Sequence, residues 1–359
     1  MNRLIIVGNG FDLAHGMKTS FNHFITDYYN NAIEEFCRDR TYSDKLLNIK
    51  HKQDYGNDLN YFSTSGFSEL PKVLEDFKNH MSVDISINSD ILRKINESIE
   101  TKNWVDIEKE YFNLLGKSAD SNQIDVGELN EEFDFLKNKL MTYLKKQQDD
   151  FSNDFDLSPL VNCFTQLIDY SEFSRVRAKT IVKPESLYFL NFNYTNTCEP
   201  YLVECKKKMT ASINYIHGNL DGTKGAPIFG FGDEFDKKFL EFEDKDGNEY
   251  FKHIKSFDYS KNQNYSSLLS FIESDNFQVH IYGHSCGISD RTMLRSIFES
   301  EYCKSIKIFY HGSEEDNDFV ERTYEIYRHF SNKGVMRRKV VSLELCEPMP
   351  QPKLESAKI

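Results

Sequence analysis

Residues 4–7 read Leu-Ile-Ile-Val and run straight into Gly8, yet apolar or β-branched runs return only from Leu187–Leu190 onward. An isolated apolar strand cannot bury itself, so its partners must come from the far half of the chain. Further strands are expected near Leu187–Leu190, Ile213–Ile216, Pro227–Phe229, Val279–Tyr282, Ile306–Tyr310 and Val340–Leu345. Between them, roughly from 22 to 175, apolar positions recur at helical spacing, with Phe133, Leu136, Leu140, Tyr143 and Leu144 as one stripe. An early strand separated from its partners by helices is what a helical insertion in an α/β sheet produces. The organisation read from this is one discontinuous α/β domain over 1–21 and 176–347, a helical insertion over 22–175 and a frayed tail over 348–359.

Composition narrows the class of protein. The chain has 359 residues, with 44 basic against 57 acidic side chains and a net charge of −13, so bulk electrostatic coating of nucleic acid or anionic membrane is excluded. No run reaches the roughly 18 apolar residues of a membrane span, and the N-terminus reads as a core strand rather than a signal peptide. Seven cysteines without a Cys-x-x-Cys pair fit reduced thiols in a cytosol and offer no paired ligands for zinc. Lys50–Ser68, Ser118–Asp125 and residues 233–267 are polar and turn-rich, the first two read as loops and the last as a surface excursion or lid. The basic runs Lys206–Lys208 and Arg337–Lys339 read as solvated surface.

Four blocks carry residue types suited to chemistry, each following an expected strand. The first is Gly8-Asn-Gly10-Phe-Asp12-Leu-Ala-His15-Gly16, where glycines let backbone amides approach a phosphate and a following helix favours negative charge. Leu13 stands where a Rossmann fingerprint has its third glycine. The second is Asn191-Phe-Asn193-Tyr-Thr195, and the third Ile216-His217-Gly218. The fourth, Gly283-His284-Ser285-Cys-Gly287 with Ser289-Asp290, formally matches the Gly-x-Ser-x-Gly elbow of serine hydrolases. That elbow needs an acid and a histidine later in the chain, but the last histidine, His329, precedes the final expected strand and reads as helical. In the insertion, Asn103 reads as a helix cap with Asp106 in the first turn, while Trp104 and Glu108 share a face at i, i+4.

Taken together, the opening block with Thr19-Ser20-Phe21, then Trp104-Val-Asp106-Ile-Glu108, Asn191–Thr195, Ile216–Gly218 and Gly283–Ser285 with Ser289-Asp290 resemble the AbiH family of bacteriophage abortive infection proteins. The resemblance spans nearly the whole chain and implies a bacterial, cytoplasmic anti-phage protein. A more distant resemblance is to the sirtuin-like, Rossmann-like fold that binds NAD, in the order Gly-x-Gly-x5-Gly, Asn after a strand, His-Gly, then Gly-x-Ser. It implies that Gly8, Gly10 and Gly16 wrap the dinucleotide phosphates, Asn193 contacts the nicotinamide ribose, His217 is the base, and Gly283, His284 and Ser285 meet the adenosine half. Asn9, Asp12, His15, Ser20, Asn191, Thr195 and Asp290 join the nucleotide-binding set, with Asp12 and His15 adding hydrogen bonds to ribose or water. Lys18 and Phe21 stand where that pattern has Pro and Arg, Thr195 where it has an acid, and its zinc cysteines are missing.

The implied chemistry is hydrolysis of NAD at the nicotinamide–ribose bond, catalysed by His217 and Asn193, with NAD as substrate and no metal. The transition state is oxocarbenium-like with a cationic leaving group already in place. A positioned amide and a neutral imidazole are therefore the useful groups, and Glu108 is a candidate for the carboxylate missing at Thr195. The alternatives are a nucleotide-sensing or interaction effector without turnover and a serine hydrolase using Ser285. A phage-encoded trigger and further copies of the chain are left open as partners.

Overall fold

The structure, a computed structural model, describes residues 1–52, 69–80, 83–100, 107–120, 124–152, 154–173, 181–245 and 247–352. The chain divides into two compact units, one of residues 1–17, 144–236 and 254–359, the other of 18–143 and 237–253.

The first unit is α/β, built on a six-stranded sheet in the order Glu347–Pro348, Cys303–Tyr310, Phe277–Tyr282, Asn2–Val7, Ser186–Asn191, Thr210–Tyr215, with every pairing parallel. The opening strand sits in the middle, with Ile5 opposite Phe189 on one side and His280 on the other. Its side chains alternate between two separate apolar cores. Leu4 and Ile6 face one that includes Leu294, Ile297 and Phe298 of helix Arg291–Glu299, while Ile5 and Val7 face one that includes Leu160, Phe164 and Tyr201. Burial on both faces is why Leu4–Val7 carries no polar residue.

Two expected strands are absent. Pro227–Phe229 is a loop held through Ile228, whose N–H donates to His217 O and whose carbonyl accepts from Tyr194 Oη, and Pro227 has no N–H for a ladder. Val340–Leu345 turns instead of running on. Val341 N bonds Ile306 O, a single turn follows at Leu343–Leu345, and the edge strand forms only at Glu347–Pro348. At the start of the expected tail, Met349 is buried in the core and its N–H donates to Tyr310 O. The cysteines are all free thiols.

The unit boundaries depart from the 22–175 expectation because helix Ser158–Thr165 supplies Leu160, Val161 and Phe164 to the sheet's core. Residues 237–253 in turn belong with the helical unit.

The second unit contains helices Phe21–Asp39, Leu70–His80, Asp90–Glu100 and Ile107–Asp120, most of Val126–Asp149, and a three-stranded antiparallel sheet of Tyr42–Ser43, Leu47–His51 and Val83–Ile87. The expected stripe of Phe133, Leu136, Leu140, Tyr143 and Leu144 is buried along Val126–Asp149. The small sheet corrects the reading of Lys50 and His51 as loop. Its turn is organised by Asp44, which accepts from Leu46 N, Leu47 N, Tyr28 Oη and Tyr42 Oη. Among the described residues no helix is long and apolar enough to cross a membrane.

Candidate functional site

Val7, Asn191, Tyr215 and Tyr282 lie side by side in register, so four loops leave the sheet at one carboxyl edge. The strand order reverses between Asn2–Val7 and Phe277–Tyr282. There the loop of Gly8–Phe11 meets the loop of Gly283–Asp290 backbone to backbone. Gly8 N donates to Tyr282 O at 3.1 Å, Gly10 N to Gly283 O at 2.8 Å, and Phe11 N to Gly8 O at 2.8 Å. A Cβ on Gly8 would lie 2.5 Å from His284 Cα, and one on Gly10 2.8 Å from Gly283 Cα.

These distances correct the phosphate-cradle reading of Gly8 and Gly10. Their amides are consumed by carbonyls of the chain, and their missing side chains admit the facing loop. Gly16, at φ +81, ends the six-residue helix Asn9–Ala14 in open space. Asn9 opens that helix, partly exposed.

Asp12 anchors the second feature, a buried polar knot. Its Oδ1 accepts from Asn193 Nδ2 at 3.1 Å and its Oδ2 from Thr195 Oγ1 at 2.6 Å, while Asn193 Nδ2 also donates to Gly8 O at 3.0 Å. Burial raises the Asp12 carboxyl to about 6, against the pull of these hydrogen bonds. Asn191 shapes the loop from within, its Oδ1 accepting from Asn193 N and its Nδ2 donating to Thr195 O. Asp12 thus places its carboxyl against the Thr195 hydroxyl.

His15 and Ser20 have structural duties. The ring nitrogens of His15 bond Phe11 O and Tyr201 Oη, both at 2.7 Å, and burial lowers it to about 4. Ser20 lies in the helical unit as the N-cap of Phe21–Asp39, accepting from His23 N.

The third feature is a hub on Asp290. Its Oδ1 lies 2.8 Å from Lys255 Nζ and 3.2 Å from His217 Nε2, and its Oδ2 lies 3.7 Å from His284 Nε2. Burial alone would raise this carboxyl, but Lys255, His217 and His284 together hold it well below the usual carboxylate range. His217 is lowered by burial first and then by Lys255, so it is a neutral imidazole at pH 7. Its Nε2 also meets Tyr259 Oη at 3.2 Å, and Phe192 stacks edge-on against it at 5.1 Å. His284 is lowered by burial to about 3, and its Nδ1 accepts from Cys286 N.

The serine-hydrolase geometry is not met. Ser285 is exposed, His284 Nδ1 is engaged by Cys286 N, and His329 Nε2 bonds Cys286 O at 2.7 Å, so neither imidazole is paired with the hydroxyl. The turn is left-handed at Gly283 and again at Cys286, at φ +55, a buried thiol that burial pushes up to about 12.

Sequence reasoning missed Lys255 and Tyr259, which sit on the short helix Lys255–Tyr259 inside the stretch read as a surface excursion. Lys255 is completely buried. Five residues are too few to show a helical period. Glu108 lies in the first turn of Ile107–Asp120 in the helical unit, and Trp104 and Asp106 fall outside the described residues.

Compared with known families, residues 4–311 match the model of bacteriophage abortive infection AbiH. No curated protein matches the chain.

Proposed function

The chain belongs to the bacteriophage abortive infection AbiH family, and from that premise we propose that it acts in anti-phage defence by hydrolysing NAD at the nicotinamide–ribose bond. The observation that carries this reading is the convergence of Asp12, Asn193, Thr195, His217, His284 and Asp290 on the carboxyl edge of a parallel sheet, beside the point where strand order reverses. Numbered along the chain the strands read 3-2-1-4-5-6, an order that supports a Rossmann-like reading, with a nucleotide at the reversal point.

In the proposed reaction the bond between ribose C1′ and the nicotinamide nitrogen breaks, and nicotinamide leaves with the bonding pair. A water oxygen bonds C1′, and its proton goes to His217 on the way to solvent. Asn193 spends both Nδ2 hydrogens on Gly8 O and Asp12 Oδ1, so its role is to accept, through Oδ1, from a ribose hydroxyl or the water. A positioned base contributes roughly 10²–10⁴-fold. His217→Ala should therefore lose turnover by about that factor while the sheet, whose core it does not fill, stays folded.

The test is release of nicotinamide by purified protein with NAD, alone and with lysate from phage-infected cells, beside NAD levels in infected cells carrying wild type or His217→Ala. Nicotinamide release that vanishes in the variant supports the reading. No release under either condition, with equal protection by the two proteins, overturns it.

A second reading is nucleotide sensing without turnover. It is favoured by Asn193 Nδ2 being spent on Gly8 O and Asp12 Oδ1, which leaves that amide no donor for the chemical step. Binding of NAD or ADP-ribose with no product formed would select it.

A further inference from the structure

We propose that Lys255 is a positioning residue of this site, bonding the Asp290 oxygen that faces His217 and thereby leaving the imidazole uncharged and able to take a proton. The inference rests on the reading of His217 as the base. Its geometry is a matter of counting buried charge. Asp290 is one buried carboxylate with three basic side chains around it, Lys255 at 2.8 Å, His217 at 3.2 Å and His284 at 3.7 Å.

Lys255 Nζ and His217 Nε2 converge on the same atom, Oδ1. With the ammonium there, the pair is neutral and neither imidazole is asked to carry charge. Without it, the carboxylate would be an uncompensated buried anion whose nearest basic group is His217, and protonating that imidazole would be the cheapest remedy. An imidazolium so formed has no lone pair left to accept a further proton.

The other groups around His217 do not substitute for Lys255. Tyr259, on the same short helix as Lys255, meets Nε2 through its hydroxyl and brings no charge at neutral pH. Tyr194, whose ring lies 6.4 Å away, spends its hydroxyl on Ile228 O. The Phe192 backbone bonds the imidazole, and His284, itself lowered to about 3, stays neutral. The helix Lys255–Tyr259 therefore supplies both the charge and the hydroxyl that define the state of His217, although it is remote from the sheet strands in sequence.

The experiment is an NMR titration of the His217 ring in wild type, Lys255→Met and Lys255→Met/Asp290→Asn, without nucleotide. The protonation midpoint of His217 should rise by on the order of 1–3 pH units in Lys255→Met, the size of an opposite-charge effect at this range, and fall back in the double variant. A purely structural lysine would lower the unfolding temperature and leave the midpoint where it was, which overturns the proposal. Should Lys255→Met fail to fold, Asp290→Asn gives the converse reading: the His217 midpoint must drop below wild type, and an unchanged midpoint overturns the proposal equally. Because no NAD enters the titration, absence of NAD turnover in wild type counts against the proposed function and leaves this result standing on its own.

Discussion

At Gly283 the backbone is at φ +66, and a Cβ there would stand 2.2 Å from Phe11 N. Gly16 has a similar φ of +81 but nothing within 4 Å. The pair separates two costs that are usually confounded. Gly16→Ala should lose only the left-handed backbone penalty, about 1–2 kcal/mol, whereas Gly283→Ala adds a clash against main chain that cannot move without opening the loop-to-loop seam. Thermal unfolding of the two variants checks this, and equal losses would show that the seam yields. The same seam explains how a correct sequence observation led to the wrong assignment: close backbone approach does require Gly8 and Gly10, but the backbone approaching is the chain's own. The Asp12 knot was legible as polar residues after strands, whereas its bonding was not, since nothing in Asn193 or Thr195 says which neighbour each will reach.

Among the elements, helix Phe21–Asp39 gives a clean contrast between ligand contact and capping. Ser20 accepts from His23 N at 3.2 Å and caps this helix. Ser20→Ala should cost about 1 kcal/mol of stability and leave nucleotide binding unchanged, measured by denaturant unfolding beside NAD titration; weakened binding at unchanged stability would return Ser20 to the nucleotide set. Strands buried on both faces were readable because their apolar runs are continuous, as in Leu4–Val7 and Leu187–Leu190. The antiparallel strands Leu47–His51 and Val83–Ile87 were not, because one face is wet and short polar alternation such as Val-Asp-Ile-Ser-Ile resembles loop. Helix Lys255–Tyr259 was missed for a different reason. With five residues it is too short to show a helical period, and its one decisive side chain is a lysine, a residue type that reads as surface.

For the whole molecule, buried ionisable groups set the pH window. His15 at about 4 and His284 at about 3 are depressed in the folded state, so the stability they carry is present above the ordinary histidine value and is lost as pH falls toward those values. Asp12, raised to about 6, works in the opposite sense, favouring the fold at low pH and losing that contribution as pH rises through 6. At about 1.4 kcal/mol per unit, the histidines together outweigh the single carboxyl by several kcal/mol. Urea unfolding at pH 4.5 should therefore give a lower midpoint than at pH 7, and a higher midpoint at pH 4.5 would mean that Asp12 dominates. The placement of the opening strand at the centre of the sheet bears on how the chain is made. Leu4–Val7 leaves the ribosome before either of its partner strands, so Ile5 must wait for Phe189 and then for His280 before both its edges are paired. Through that interval an apolar, β-prone segment stands open to strangers, so the sheet can close only late in synthesis, and anything that stalls translation before residue 277 leaves a sticky, half-built protein.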